Sequence, residues 1–430
     1  MMSRTRCFES LADWLHWQEQ LHPEEIDLGL DRVGRVANRL QCRAPAKTVI
    51  TVAGTNGKGS SVAMLESILV RAGYRTGSYT SPHLERYNER IRVQGEMVSD
   101  QARCAAFQRV DQARGSDSLT YFEFGTLAAL DIMRHASLDV ALLEVGLGGR
   151  LDAVNIVDAD AVLITSIGVD HVDWLGPDRE AIGREKAGVM RSLRPAVCAD
   201  ANPPASLVGE AERLNVDWRV LGKDFRLSHS GHNWHWQGDH VRYRDLPLPA
   251  VSGTHQLANA AGVLMVLEML AGKLPVPRPA IDSGLKWLKI NGRIQRIPGT
   301  VEQVLDVSHN PQAAEALADA LRHMPPAGRV QVVLGLMQDK DIHAFVAALA
   351  PLVDCWYPVA LDTPRASTPA QLAETLAGVV AQTPVIPCMS VAVALQTLQQ
   401  QVKPGDRVLV CGSFHTVAEW IALKPQFNRS

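Results

Sequence analysis

Val49-Ile50-Thr51-Val52 runs directly into Ala53-Gly54-Thr55-Asn56-Gly57-Lys58-Gly59-Ser60-Ser61, and a helix-like segment, Ser60–Ala72, follows at once. β-Branched residues, then clustered glycines, then helix formers read as strand, turn and helix. That order builds an anion site. Glycines let backbone N–H groups close on a phosphate, and the helix N-terminus adds a partial positive charge. Lys58 can reach the outer phosphates, and the hydroxyl of Ser60 or Ser61 can ligate a magnesium ion. The spacing departs from G-x-x-x-x-G-K-[ST]: Val52 holds the first glycine position, and Gly59 separates the lysine from the serines. A glycine-rich turn alone is often only structural. With strand, lysine, serine and helix all present, the expected ligand is a nucleotide.

The chain around this loop has 430 residues, too many for one ordinary core, so at least two domains are expected. Its 46% hydrophobic and 21% charged residues describe a globular protein, and a formal net charge of −3 gives no reason to expect nucleic acid as a partner. The seven cysteines (Cys7, Cys42, Cys104, Cys198, Cys355, Cys388 and Cys411) are scattered, with no C-x-x-C pair. This argues against a zinc site or a disulfide framework and suits a reducing compartment. Arg4, Arg6, Glu9, Asp13 and Glu19 interrupt the N-terminus, leaving no signal-peptide core, and no stretch offers ~18 uninterrupted apolar residues. No membrane association is expected, and the expected location is cytoplasmic.

Strand and helix patterns alternate on both sides of the loop. Ser10–Leu21 reads as an amphipathic helix with Leu11, Trp14, Leu15 and Trp17 towards one side. Val140–Glu144, Ala161–Ser166, helix Arg179–Met190 and Ala196–Ala199 continue an α/β series with a largely parallel sheet. Between Phe225 and Leu248, short polar–aromatic alternation (Trp234, Trp236, Val241, Tyr243) suggests a small antiparallel excursion, followed by helix-like Gln256–Leu270. A second α/β series begins with Val301–Asp306 and continues through Pro311–Arg322, Val330–Leu334, Ile342–Leu349, Trp356–Ala360 and Arg407–Cys411. Asn291–Thr300, with Gly292, Pro298 and Gly299, reads as the hinge. The expected division is therefore 1–290, hinge 291–300, and 301–430, with a cleft between two α/β domains.

Three further constellations fall at strand ends or on a following helix. Leu143-Glu144-Val145-Gly146-Leu147-Gly148-Gly149-Arg150 puts a carboxylate at the end of a buried strand, where an α/β sheet presents residues to its ligand crevice. Beside a phosphate loop such a carboxylate is a natural magnesium ligand, and otherwise it is a surface acid at a strand end. Ser166-Ile167-Gly168-Val169-Asp170-His171 offers His171 as a metal ligand, a phosphate contact or a structural histidine. Gly183-Arg184-Glu185-Lys186-Ala187-Gly188 sets Lys186 among small neighbours, and in isolation the run would be a solvated helix face.

Taken together, these stretches resemble the bacterial bifunctional dihydrofolate synthase/folylpolyglutamate synthases, within the ATP-dependent Mur-type amide ligases. The resemblance runs through IDLGLDRV (Ile26–Val33), TVAGTNGKGS (Thr51–Ser60), YTSPHLERYNERIRV (Tyr79–Val93), LTYFEFGTLAAL (Leu119–Leu130) and LEVGLGGRLDAVNIV (Leu143–Val157). It continues in DHVDWLGPDREAIGREKAGVM (Asp170–Met190), NGRIQ (Asn291–Gln295), DVSHNPQAA (Asp306–Ala314), DKD (Asp339–Asp341) and CGSFHTVAE (Cys411–Glu419). The departure at the phosphate loop is this family's own pattern, G-T-N-G-K-G-[ST].

The resemblance implies a two-domain α/β Mur ligase-like fold, with a P-loop NTPase-like N-terminal domain binding ATP and pterin and a smaller Rossmann-like C-terminal glutamate-ligase domain. Thr55, Asn56, Gly57, Lys58, Gly59 and Ser60 would cradle the ATP phosphates, with Asn259, Arg293 and Asp306 on the adenine, phosphates and ribose and His309 nearby. Ser81, Glu144 and His171, with Ser60 a further candidate, would hold magnesium, two ions being implied. Lys186 would be carbamylated, which turns a cation into an anion able to support the second metal; Lys58, Lys186 and His309 form the catalytic set. Asp27, Leu28, Gly29, Thr120, Tyr121, Phe122, Glu123, Leu151, Asp152 and Ala153 would contact the pterin acid. Phe122 would offer a flat apolar surface for the ring, and Glu123 an acceptor for ring N–H groups. Arg293 follows Asn291-Gly292 where relatives often have Pro-Gly. For the amino acid, Arg365, Ser367 and Ser413 are candidates.

The implied reaction is ADP-forming. The γ-phosphoryl of ATP passes to a carboxylate, and the amine of L-glutamate attacks the acyl phosphate, with 7,8-dihydropteroate or a reduced folate as the acid. Positioning and charge neutralisation dominate such transfers. The expected state is a monomer. Two rivals remain at this level: a cell-wall Mur ligase acting on a nucleotide sugar, and a nucleotide-switched binding protein with no ligase activity.

Overall fold

The structure, a computed structural model, describes residues 8–427 except 232, 252 and 381. Cys7, Arg4 and Arg6 lie outside the described residues. Sixteen strands in the described residues form three sheets. The first holds β1 (Ala46–Ala53), β2 (Thr76–Tyr79), β3 (Ile91–Val93), β4 (Glu96–Met97), β5 (Leu138–Glu144), β6 (Ala161–Ile164), β7 (Pro195–Cys198) and β8 (Asp217–Val220) in the order β4-β3-β2-β5-β1-β6-β7-β8. β2, β5, β1, β6, β7 and β8 run parallel, and β3 and β4 form an antiparallel edge.

β1 is buried from Thr48 onward because both faces of the sheet are covered. One face packs on the helices Lys58–Arg71 and Thr254–Met269 through Ile50, Val52, Leu65, Ile68 and Val263. The other packs on the helices Asp31–Leu40, Asp100–Arg114 and Tyr121–His135 through Val49, Val36, Phe107 and Leu127. From β1 the chain passes to β2 on one side and from β6 to β7 on the other, so a crevice opens at the C-terminal ends of β1 and β6.

The N-terminal helix spans Leu11–Glu19, capped by Ser10, whose hydroxyl accepts from Asp13 N at 3.1 Å. The polar–aromatic stretch forms β9 (Arg226–Ser230), β10 (Asn233–Gln237) and β11 (Arg242–Pro247), an antiparallel meander. Trp234 and Trp236 both turn inward, and Trp236 Nε1 donates to Ala261 O at 3.1 Å, seating the meander on the helix Thr254–Met269.

The third sheet has β12 (Gln295–Ile297), β13 (Glu302–Leu305), β14 (Val330–Leu334), β15 (Cys355–Pro358) and β16 (Arg407–Cys411) in the order β12-β13-β16-β14-β15. All but β12 run parallel, and β12 is hydrogen-bonded antiparallel to β13. Helices Pro311–Arg322 and Ile342–Leu349 cover one face, and Val391–Gln401 and Phe414–Ala422 the other. The C-terminal ends of β13 and β16 face the crevice beyond β1, and the site lies there.

Candidate active site

The phosphate loop is held open by two glycines that no other residue could replace. A Cβ on Gly54, at φ +142°, would lie 1.8 Å from Thr165 Oγ1. One on Gly57, at φ +88°, would lie 2.5 Å from the Asn259 amide. Thr55 N donates to Ser166 O (2.8 Å), and its hydroxyl both donates to Gly168 O and accepts from Gly168 N at 3.0 Å, pinning the loop to the end of β6. The helix starts at Lys58 with N-terminal amides aimed into the crevice. Lys58 folds back over the loop to Gly54 O and Thr55 O, each at 3.1 Å, and burial lowers its pKa. The two serines separate cleanly. Ser61 Oγ is committed to Gly57 O at 2.9 Å, whereas Ser60 Oγ faces the cavity and accepts only a 3.4 Å contact from Gln256.

Glu144 ends β5 beside this loop. It is buried, and Ser81 N donates to its Oε2 at 3.1 Å. Burial raises its pKa, while Lys58 and the Ser81 amide pull the other way. His171 follows β6 with φ +52°, and burial, together with Lys340 and His309, brings it down to about 4, leaving a neutral imidazole suited to a metal. Lys186 is buried and donates to Gly54 O at 2.8 Å; desolvation first, and then Lys58, push it down to about 7.

A hard divalent cation fits this set. Glu144, His171, Ser60 and Ser81 bring one carboxylate, one neutral imidazole and two hydroxyls to the loop, and a buried carboxylate is stabilised by a cation beside it. Among the described residues no three His, Cys, Asp or Glu side chains form a metal cluster. The remaining ligands would therefore be phosphate oxygens and water, as magnesium prefers.

The C-terminal sheet supplies the opposite wall. Asp306 follows β13 and is fixed by Ile294 N and Ser308 N, both at 2.8 Å. Arg293 is partly buried, with its guanidinium 5.0 Å from the Phe414 ring centroid. Burial lowers the Arg293 pKa, while Asp306 and Glu144 oppose that. His309 Nδ1 lies 2.9 Å from Val307 O, and Asn259 donates to Gln256 Oε1 at 3.1 Å. Residues 54–60, Ser81, Glu144, His171, Lys186, Asn259, Arg293, Asp306 and His309 thus share one interdomain cavity of about 260 Å³.

The pterin segments converge on one another but outside that cavity. Gly146 separates the two regions: it lines the cavity, and a Cβ on it would meet Phe122 Cζ at 2.5 Å and Asp152 Oδ2 at 3.2 Å. Asp152 is buried and raised to about 6 by desolvation, against hydrogen bonds from Leu147 N and Val154 N. Thr120 and Glu123 form a capping box that starts the helix Tyr121–His135. Arg32 Nε donates to both Glu123 oxygens (2.9 and 2.8 Å) and its guanidinium also reaches Asp27. Glu123, expected as an acceptor for ring N–H groups, already accepts from Arg32 and from Thr120 N. A Cβ on Gly29 would meet nothing within 4 Å, so the 27–29 segment borders open space. Leu28, Tyr121 and Leu151 are partly exposed, and Ala153 is buried.

The amino-acid candidates lie outside the lining of that cavity. Ser413 caps the helix Phe414–Ala422 by accepting from Thr416 N at 3.1 Å, and Ser367 is buried with its N–H on Leu336 O. Arg365 pairs with Asp339 (3.3 Å) and Glu25 (3.6 Å) and lines a second cavity of about 250 Å³ beside His171.

Sequence reasoning missed Asp170 and Lys340. They form a buried ion pair of 2.6 Å across the domains. Burial opposes the Asp170 charge, but His309, His171 and Lys340 outweigh it and hold the carboxyl far below the usual range. Both residues stand in motifs singled out above, D-H and D-K-D, yet nothing local signals that they meet.

The Mur ligase middle domain family matches residues 52–267, and the Mur ligase glutamate ligase domain family matches residues 292–414. Dihydrofolate synthase/folylpolyglutamate synthase of Escherichia coli K12 is 47% identical over 408 residues, 95% of this chain and 94% of that protein. The chain belongs to the dihydrofolate synthase/folylpolyglutamate synthase family of Mur ligases. Its fold is accordingly the α/β Mur ligase architecture, with middle and C-terminal domains. A solved structure of E. coli FolC in complex with DHPP and ADP superimposes with a TM-score of 0.92 at 45% identity, over 97% of this chain and 98% of that one. A bifunctional folylpolyglutamate synthase/dihydrofolate synthase structure with Mn, AMPPNP and L-glutamate bound gives 0.90 at 44% identity, over 98% of this chain and 100% of that one. For this member of the synthase family, no helix among the described residues is long and apolar enough to cross a membrane.

Proposed function

We infer that this chain is an ATP-dependent, ADP-forming amide ligase that adds L-glutamate to 7,8-dihydropteroate and to reduced folates through an acyl phosphate. One observation carries the reading: the loop 54–60, Glu144, His171 and Lys186 of one domain face Arg293, Asp306 and His309 of the other across a single cavity. ATP held there touches both domains at once. The proposed division is 1–290, a 291–300 linking stretch and 301–430; β12 within that stretch pairs with β13, so the expected hinge is narrower than 291–300 and ends before Gln295. Every residue given a role lies in one chain, so a monomer suffices.

A carboxylate is a poor electrophile at neutral pH, and phosphorylation gives it a good leaving group. The loop amides and Lys58 bind the phosphates. Arg293 and Lys58 neutralise charge as the γ-phosphoryl moves to the acid. Asp306 and Asn259 orient the nucleoside. Ser60, Ser81, Glu144 and His171 would hold magnesium, and two ions are proposed. Bound there, the metal would supply charge neutralisation between phosphate oxygens. Lys186, once carbamylated, would add an anion beside Gly54 where its ammonium now sits. Closure of the two domains excludes water, which would otherwise hydrolyse the acyl phosphate.

The acid enters from the Phe122–Asp152 side, so its carboxylate meets the γ-phosphoryl at the Gly146 partition. Its aromatic part lies on Phe122, and Asp152 accepts from ring N–H groups. Incubation with ATP, L-glutamate and either 7,8-dihydropteroate or a UDP-muramyl acid, read by mass, decides between this reading and a cell-wall ligase. A glutamyl amide with dihydropteroate alone is expected. Amide formation with the muramyl acid alone overturns the pterin assignment, and no amide with either leaves only a nucleotide-binding protein.

A further inference from the structure

Asn56 stands in the middle of the phosphate loop, yet its side chain points away from the cradle. Its Nδ2 donates to Asn310 Oδ1 (3.1 Å) and to Gln312 Oε1 (2.8 Å), and its Oδ1 accepts from Asn310 Nδ2 (3.0 Å). Both amide hydrogens are thereby taken, and neither is left for a phosphate oxygen. The partners belong to the other domain, at the start of the helix Pro311–Arg322, directly after His309. Asn310 is the N-cap of that helix, accepting from Ala313 N at 3.0 Å, and is buried. Its Nδ2 also donates to Asp170 Oδ2 (3.0 Å), whose other oxygen holds Lys340. Gln312 Oε1 further accepts from Ser166 Oγ at 3.3 Å, and a Cβ on Gly168 would lie 2.6 Å from it, so the glutamine fills the notch between loop and β6 end.

We propose that Asn56 is a positioning residue: its backbone serves the phosphate cradle, while its side chain docks the His309–Gln312 turn of the C-terminal domain onto that cradle. The amide pair Asn56–Asn310 is reciprocal, which fixes orientation as well as distance. The loop that grips the phosphates thus also sets where His309 and the opposite wall stand. A loose dock leaves nucleotide on the loop but misplaces the second domain, and a misplacement of ~1 Å can cost about a hundredfold in rate. The proposal rests on the reading that ATP occupies the 54–60 loop.

The test is a double-mutant cycle on the full chain with Asn56→Ala, Gln312→Ala and the pair. Glutamate-dependent ADP release is measured, and binding of a fluorescent ATP analogue is titrated without acid or glutamate. Each single change is expected to lower kcat roughly tenfold or more, with nucleotide Kd moving no more than about threefold. The double variant should be no worse than the poorer single, because both changes break one dock. A large rise in nucleotide Kd for Asn56→Ala with Gln312→Ala at wild-type kcat would make Asn56 a phosphate ligand and overturn the proposal. Multiplicative losses in the double variant would also overturn it. Failure of the unaltered chain to bind the analogue would instead remove the ATP reading itself, and this proposal with it. Gln312 is partly exposed on the first helical turn, so its variant is expected to fold.

Discussion

Lys58 and Lys186 converge on one carbonyl: both ammonium groups donate to Gly54 O, at 3.1 and 2.8 Å. Two cations on one oxygen repel each other, and desolvation works in the same direction. Lys186 is driven down to about 7, so its amine loses its proton as pH rises through neutrality, far below the ordinary lysine value. The unfolded chain keeps that proton to higher pH. Stability therefore rises with pH between about 7 and the unfolded lysine value near 10.4.

A neutral amine attacks carbon dioxide, forming an N–C bond and releasing a proton to solvent. We expect ¹³C-bicarbonate to produce a carbamate signal on this protein that grows from about pH 6 to about pH 8. It should be absent in Lys186→Ala. A signal that survives this substitution, or no signal at any pH, would show that Lys186 stays an amine.

Lys58 and Glu144 oppose each other across the first turn of the phosphate-loop helix, where a Cβ on Gly59 would lie 3.5 Å from Glu144 Oε2. Lys58→Ala or Glu144→Ala should lower glutamate-dependent ADP release about a hundredfold or more. Glu144→Gln keeps the contact with Ser81 N but not the charge, so it should fail as badly as alanine. Turnover near wild type in Glu144→Gln would mean that charge is not what the site needs.

Asp152 lies on the acid-binding side, raised to about 6 by burial. Its carboxylate is neutral below that value and charged above it. If the charged form accepts the pterin N–H groups, dihydropteroate should bind more tightly as pH rises through about 6. Asp152→Asn should flatten that profile and raise the KM for dihydropteroate roughly tenfold, leaving the KM for ATP in place. An unchanged profile would place the titrating group elsewhere.

Trp14 joins the N-terminal helix to the domain carrying the acid site. Its ring packs against Phe8 (5.0 Å), Trp17 (5.6 Å), Phe107 (5.9 Å) and Phe124 (6.4 Å), and it is 1% exposed. Trp14→Ala should destabilise the chain by about 3–5 kcal/mol in urea unfolding. A loss below about 1 kcal/mol would mean the helix is a loose appendage.

The parts that could be read from the chain are those whose chemistry is local. The 54–60 loop advertises itself through glycines beside a lysine, and Glu144 through a carboxylate closing an apolar run. The β9–β11 meander shows in the alternation of Trp234 and Trp236 with polar neighbours. What stayed hidden depends on residues far apart in sequence. Nothing near Glu123 announces that Arg32 occupies it, and nothing near Asp170 points to Lys340. The choice between Ser60 and Ser61 needed the helix itself, because only the i−4 carbonyl of Gly57 reveals that Ser61 is already engaged. Asn56 is the sharpest case, since a phosphate-loop position invites a phosphate role and its side chain serves the other domain.

The most direct test of the whole account is isotopic. 7,8-Dihydropteroate labelled with ¹⁸O in its carboxylate is incubated with ATP and L-glutamate, and the inorganic phosphate and amide product are read by mass spectrometry. Transfer through an acyl phosphate predicts ADP, a glutamyl amide, and one ¹⁸O in each phosphate released. Label in AMP, or a glutamyl amide formed with unlabelled phosphate, would contradict it.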